Sequence, residues 1–474
     1  MERILRKVMS SVLAAAALAA IGPVQAVSAT DAGLLFDKAE YAARRARLME
    51  KMPDGAAVFL GAPTPASDIP FRQGHDFLYF TGVHIPDAFL IIDGARKESL
   101  LFFTMTEKQA DGEGLPVEIV RHPQDVTGIE RVLPAEQFAS SLTALSQRTR
   151  VLYTEFKPEE LGPENSNEKF NALQKSMTQS LWDGRLTREL QFVRQLRDKF
   201  PQVDVRDCAA LVWDMRKIKS PAELAVMRRA GEIGVKAHNA LIRSTRPGVS
   251  EKSLEAVFEF VCREAGAADM AYEPILMSGK NHAYGHYHIY DRVLKAGDLV
   301  ILDAAPDYAD YHVDISTTFP ASGAFTPRQK ELYEVALAVR DTCQANYRPG
   351  VTLGQVGERV AAMLKEKGLD RYADDFRGIV RLGGYNHMIG MATHDVMGTF
   401  AGAAEALAPG MVFACDIQLF RLEEEIGIRL EDTIAITDDG YENLSRGVPR
   451  TIREIEDLKK ENGILQTLKK QGLD

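Results

Sequence analysis

The chain has 474 residues, 45% of them hydrophobic, and a formal net charge of −10. That length allows two or three domains, and an acidic chain lacks the broad basic surface that nucleic-acid binding through phosphates requires. Its four cysteines, at 208, 262, 343 and 415, are far apart and form no CxxC pair. They make neither a disulfide framework nor a zinc finger, although one bridge remains open in an oxidising compartment.

At the N-terminus, Arg3, Arg6 and Lys7 precede an apolar run from Val8 to Ile21, followed by the small-residue pattern Val24-Gln-Ala26. This is the layout of a secretory signal peptide, with cleavage after Ala26, and the run is short for a membrane span. Export to the periplasm or beyond, with no stable membrane anchor after processing, is the expectation. Removal of residues 1–26 takes three basic and one acidic side chain with it, bringing the charge to about −12.

From 31 to 199 a helical pattern at Lys38–Lys51 alternates with short apolar runs at 56–60, 88–92 and 100–103, which predicts an α/β domain on a central sheet. Within it, Phe71-Arg-Gln-Gly-His75-Asp76 begins an aromatic-dense run whose His-Asp pair reads as structural. Residues 200–217 read as a helical linker. Ser220-Pro221-Ala-Glu223 then marks a helix start with a capping box, and a second helix is predicted at 253–265. A second domain is placed at 218–460, with a tail at 461–474; the amphipathic stretch 451–465 is expected to pack on its exterior or on a partner subunit.

Two stretches of this second domain carry the chemistry. In Leu299–Thr318, β-prone runs flank a Pro/Asp/Tyr turn, and a reversal about Tyr308 and Ala309 would set Asp303 opposite Asp314, with Cβ atoms roughly 4.5–5.5 Å apart. In 411–436, a reflection about Glu423 and Glu424 sets Asp416 opposite Glu431. Acid opposite acid inside apolar strands is costly unless a cation lies between them. Four carboxylates and the imidazole of His387 suit two hard or borderline divalent ions better than a thiolate zinc site does. His387 and His394 share the glycine-rich run 383–395, whose local geometry stays open. His286 stands 17 residues before Asp303, between His282 and His288. On a loop feeding such a strand it is placed to hydrogen-bond a substrate carbonyl.

With Phe71-Arg-Gln at the front and Glu442-Asn-Leu-Ser near the end, this series resembles aminopeptidase P, within the pita-bread metallopeptidases that include prolidase and methionine aminopeptidase. The resemblance covers nearly the whole chain after residue 26. It implies a non-catalytic α/β domain followed by an α+β catalytic domain with a curved, mostly antiparallel sheet and helices outside. It also implies two divalent ions, manganese by preference with zinc or cobalt as substitutes. Asp303 would hold one ion, Asp314 and Glu431 would bridge both, and His387 with Asp416 would complete the second site. His286 and His394 would steady the reacting carbonyl, and Arg429 would orient Glu431. The implied activity is release of the N-terminal residue from peptides with proline second, by a chain that assembles with copies of itself.

Two positions depart from the family pattern. The family has glutamate, proline and glycine where this chain has Asp416-Ile-Gln418, and that glutamate also serves as the base. The family also commonly has a histidine where this chain has Gly383. A prolidase confined to dipeptides, a related hydrolase of other substrates and a pseudo-peptidase that only binds peptides or proteins remain alternative readings.

Overall fold

The computed structural model describes residues 33–65, 70–157, 175–182, 184–382, 386–396 and 402–472. The signal-peptide pattern and Gly383 lie outside the described residues.

The first layer opens with the helix Lys38–Lys51, capped by the Asp37 side chain on the Ala39 amide. Its buried face includes Arg44 and Arg45, which donate to the carbonyls of Tyr79 and Phe80 at the end of the helix His75–Thr81. There the guanidinium groups meet carbonyls left without helical partners. A mixed six-stranded sheet runs in the order Arg131–Leu133, Glu98–Phe102, Phe89–Asp93, Gly55–Leu60, Val151–Thr154, Asp204–Asp207. The last strand corrects the reading of 200–217 as a helical linker. Asp204–Asp207 pairs in parallel with Val151–Thr154, and only Ala209–Arg216 is helical. The strand is short and mostly polar, DVRD, so its sequence shows no apolar run.

The second layer begins at Ser220, whose hydroxyl and Glu223 form the expected reciprocal cap on the helix Pro221–Ser244. The helix Glu251–Glu264 follows. The main sheet is antiparallel throughout, in the order Val412–Arg421, Ile426–Ile436, Ser316–Pro320, Leu299–Asp303, Ile275–Ser278. The helices Pro221–Ser244 and Pro327–Asn346 pack against it and its flanking strands. The C-terminal stretch forms two short helices, Ile452–Leu458 and Ile464–Lys470, both against the Pro221–Ser244 helix, with the Ile464 amide bonded to Ser244 Oγ.

Buried charges join the layers. Arg216 bonds Asp76 of the first layer at 2.6 Å and also pairs with Asp395, and Arg44 lies 3.4 Å from Glu223. Asp76 of the His75-Asp76 pair thus has a structural part, tying the two layers together.

Candidate metal centre

The second acid pair has the anticipated register, Asp416 opposite Glu431. The first does not. Asp303 faces Ser316, and the chain reverses through Ala309-Asp310, whose φ angles of 55° and 60° make a two-residue turn with both residues left-handed. The centre of the hairpin is therefore one residue further along than Tyr308-Ala309, and the facing position moves by two. Side chains alternate with a period of two, so Asp314 keeps the same face as Ser316 and still reaches Asp303.

Strand pairing sets Asp303, Ser316, Glu431 and Asp416 in one row across four neighbouring strands. Ligating oxygens of Asp303, Asp314 and Glu431 lie within 4.8 Å of one another, as do ligating atoms of Asp314, His387 and His394. Asp314 belongs to both groups. The histidines arrive on a turn neither helical nor extended. His387 O accepts from the Ala414 amide, Asp395 N donates to Met388 O, and the two imidazole centroids are 3.9 Å apart. His387 Nε2 points at Asp314 Oδ2, 3.3 Å away, while its Nδ1 sits 3.4 Å from the Met388 carbonyl. A ring N–H directed to a carbonyl leaves the other nitrogen free to ligate.

Arg429 lies among the acids. Nη1 pairs with Asp303, Nη2 is 3.1 Å from Asp416 and 3.2 Å from Glu431, and Nε is 3.2 Å from the other Asp416 oxygen. It thus holds three carboxylates rather than Glu431 alone. Three further groups had no signal of their own in the sequence. Tyr272 Oη lies 2.6 Å from an oxygen of both Asp303 and Asp314 and shares its one proton between them, Ser316 donates at 2.7 Å to Glu431, and Gln418 donates at 2.5 Å to Asp416. Of these, Ser316 and Gln418 stand two residues after an acid on a strand, so the alternation that places Asp314 and Asp416 would have found them. His286 is exposed on the stretch leading to the first hairpin and joins neither ligand group. His282 is buried, with Nδ1 3.3 Å from the Glu425 carbonyl, and burial pulls it down to about 4.

Burial pushes Asp303 up to about 7; Arg429 opposes that shift and Asp314 adds to it. Glu431 is raised well above the carboxylate range, by burial first and then by the charges of Asp314 and Asp416. Asp314 is also buried, but its bond to His387 and the nearby positive charges outweigh that, and it is held low. Glu431 Oε1 is fully buried and has no hydrogen-bond partner. An orphaned carboxylate oxygen beside further acids is what a divalent cation would satisfy, and an oxygen-rich set with imidazole is its chemistry. The residues fit a metal centre.

A row of acids on an antiparallel sheet, joined by an imidazole and preceded by a separate α/β layer, defines a metallopeptidase of the pita-bread type. Residues 225–438 match metallopeptidase family M24, and residues 41–153 match the aminopeptidase P N-terminal domain. The Xaa-Pro aminopeptidase of Escherichia coli K12 is 31% identical over 453 residues, covering 89% of this chain and 98% of that protein. Human Xaa-Pro aminopeptidase 3 is 26% identical over 460 residues, covering 89% and 86%. Among solved structures, proline aminopeptidase P II of Yersinia pestis superposes with a TM-score of 0.72 at 30% identity, covering 90% of this chain and all of that one. Escherichia coli aminopeptidase P with the inhibitor Pro-Leu gives 0.73 at 29%, covering 90% and 98%. The chain belongs to the aminopeptidase P group of metallopeptidase family M24, and it is a metallo-aminopeptidase.

Proposed function

We propose that this enzyme is exported and releases the N-terminal residue from peptides with proline in second position, using two divalent ions. The observation that carries the metal-dependent reading is the buried, unpartnered Glu431 Oε1 within the Asp303, Asp314 and Glu431 cluster. Proline specificity is supported by the substrate class in the names of its relatives, and export by the basic-then-apolar N-terminal pattern.

Asp303, Asp314 and Glu431 would hold one ion through oxygen, a set that suits manganese, and His387 would contribute to the other. Bound ions of this kind polarise a carbonyl and make water a nucleophile near neutral pH. Arg429 and Tyr272 fix the carboxylate orientations, so the ligands are preorganised. His286 and His394 are assigned to the substrate carbonyl, His286 from the rim.

The test is a length series of Ala-Pro and Gly-Pro peptides with alanine-second controls, run on metal-depleted and manganese-restored enzyme. Cleavage of the first bond in tri- and longer peptides, restricted to proline-second members and dependent on metal, is expected. Cleavage confined to dipeptides would replace this reading with a prolidase.

A further inference from the structure

Position 416 departs from the family pattern, and the structure shows what its carboxylate does instead. Both oxygens are occupied: Oδ1 accepts from Arg429 Nε at 3.2 Å, and Oδ2 accepts from Arg429 Nη2 at 3.1 Å and from Gln418 Nε2 at 2.5 Å. Aspartate is one methylene shorter than glutamate, so its carboxylate stays near its own strand, where the guanidinium and the amide hold it. Gln418 stands where the family pattern has glycine, which has no side chain to offer. Asp416 belongs to neither ligand group among the described residues.

The second group is complete without it. Asp314, His387 and His394 present one ligand atom each within 4.8 Å of one another, and the two ring centroids lie 3.9 Å apart, tilted by 42°, on a turn stitched to the edge strand. Two imidazoles and one carboxylate with open positions is a recurrent catalytic set, used by zinc and by iron(II). Glu431 Oε1, buried and unpartnered, lies 3.9 Å from His387 Nε2 on the Asp314 side.

Resting on the metal-centre reading above, we propose that the second ion in this chain is held by Asp314, His387 and His394, and that Asp416, one methylene short and tied to Gln418, stays out of coordination. The two sites then differ in chemistry. The all-oxygen site takes a hard ion such as manganese, and the imidazole-rich site takes a borderline ion such as zinc. His394 becomes a ligand rather than a group that only steadies the substrate, and Gln418 a positioning residue for Asp416.

The full chain, metal-depleted and reloaded with one equivalent of manganese and then one of zinc, would be examined by X-ray absorption at the zinc edge and by calorimetric titration. His394→Ala should weaken uptake of the zinc equivalent, and the zinc that still binds should show half the imidazole scattering of the parent. Asp416→Asn, which keeps an acceptor for Arg429 but is a poor ligand, should retain both equivalents and the parent spectrum. If His394→Ala fails to fold by circular dichroism, the parent spectrum decides alone, because two imidazoles on one ion give multiple-scattering features twice as strong as one does. Imidazole scattering unchanged by His394→Ala, a parent spectrum that fits one imidazole, or loss of the second equivalent in Asp416→Asn would each overturn the proposal and leave the metallopeptidase reading standing. Failure of the parent to bind zinc or manganese at all would overturn both.

Discussion

Glu431 and Asp432 are neighbours on one strand, both fully buried, and they live in opposite electrostatic worlds. Glu431 faces the row of acids, is reluctant to ionise, and keeps one oxygen without a partner. Asp432 faces the helices. It accepts from Arg450 at 2.8 Å, Arg340 at 2.5 Å, Gln344 at 2.8 Å and Ser445 at 2.7 Å, and although burial opposes its charge, the two guanidinium groups hold it far below the usual range. The lesson is that burying an acid does not by itself mark a functional site. A site is marked where the chain leaves the negative charge short of partners, because something from outside must complete it.

The largest expected effect comes from removing that outside partner. Chelation should cost several kcal/mol of transition-state stabilisation, roughly a thousandfold or more in kcat/KM, and added manganese should restore it. Glu431→Gln should lose activity to a similar degree. It should nevertheless leave the metal-free protein as stable as the parent, or more so, because it removes a mutually repelled charge. Denaturant melts of the two apo-proteins check this, and a marked loss of stability in Glu431→Gln would mean that the site face is as fully paired as the helix face. Asp432→Ala is the mirror experiment. It strands Arg340 and Arg450 in the interior, so about 3–5 kcal/mol of folding stability should go, read from the denaturation midpoint.

Much of the site face was legible from residue order, the helix face was not, and the limits have physical causes. The Asp416–Glu431 register could be read from reflection because the strands on either side of Glu423-Glu424 are long and their pairing is uninterrupted. Asp303–Asp314 could not, since the turn uses Ala309 and Asp310 in left-handed conformations that no glycine or asparagine announces. The face was still right, because a two-residue shift preserves it. The capping box at Ser220 and the helix Lys38–Lys51 were local signals and therefore readable. Tyr272, Arg340 and Arg450 reach their acids from 18 to 92 residues away, and such pairings have no local signature. The strand Asp204–Asp207 was hidden for another reason: it is polar and short, and its place is given by the neighbouring strand.

The helix face also carries a proton-linked term. His238 lies on the Pro221–Ser244 helix, with Nε2 2.9 Å from the Ala304 carbonyl and Nδ1 3.0 Å from Thr317 Oγ1. Burial pulls it down to about 3. An unfolded histidine titrates near 6.5, so between these values the unfolded chain binds the extra proton and the native state does not. Stability from this residue is therefore full above pH 7 and is lost as the pH falls, by about 2 kcal/mol between pH 7 and pH 5. Denaturant titrations at the two pH values, on the parent and on His238→Gln, should show the parent falling further by that amount. Equal slopes would mean that the imidazole is protonated in place.

The smallest effect tests whether the site face is tuned as well as short of charge. Ser316 sits in the acid row and donates at 2.7 Å to Glu431 Oε2, the oxygen that is satisfied, while Oε1 is left for a cation. A hydrogen bond to a carboxylate favours its charged form, so Ser316→Ala should raise the already high proton affinity of Glu431. A proton then competes better with the metal, and metal affinity should fall by about tenfold, with the loss growing toward acidic pH. Folding stability should change by only about 1 kcal/mol. Calorimetric manganese titrations at two pH values separate the outcomes: a loss independent of pH would assign Ser316 to packing, and a loss that deepens with acidity assigns it to the ionisation of Glu431.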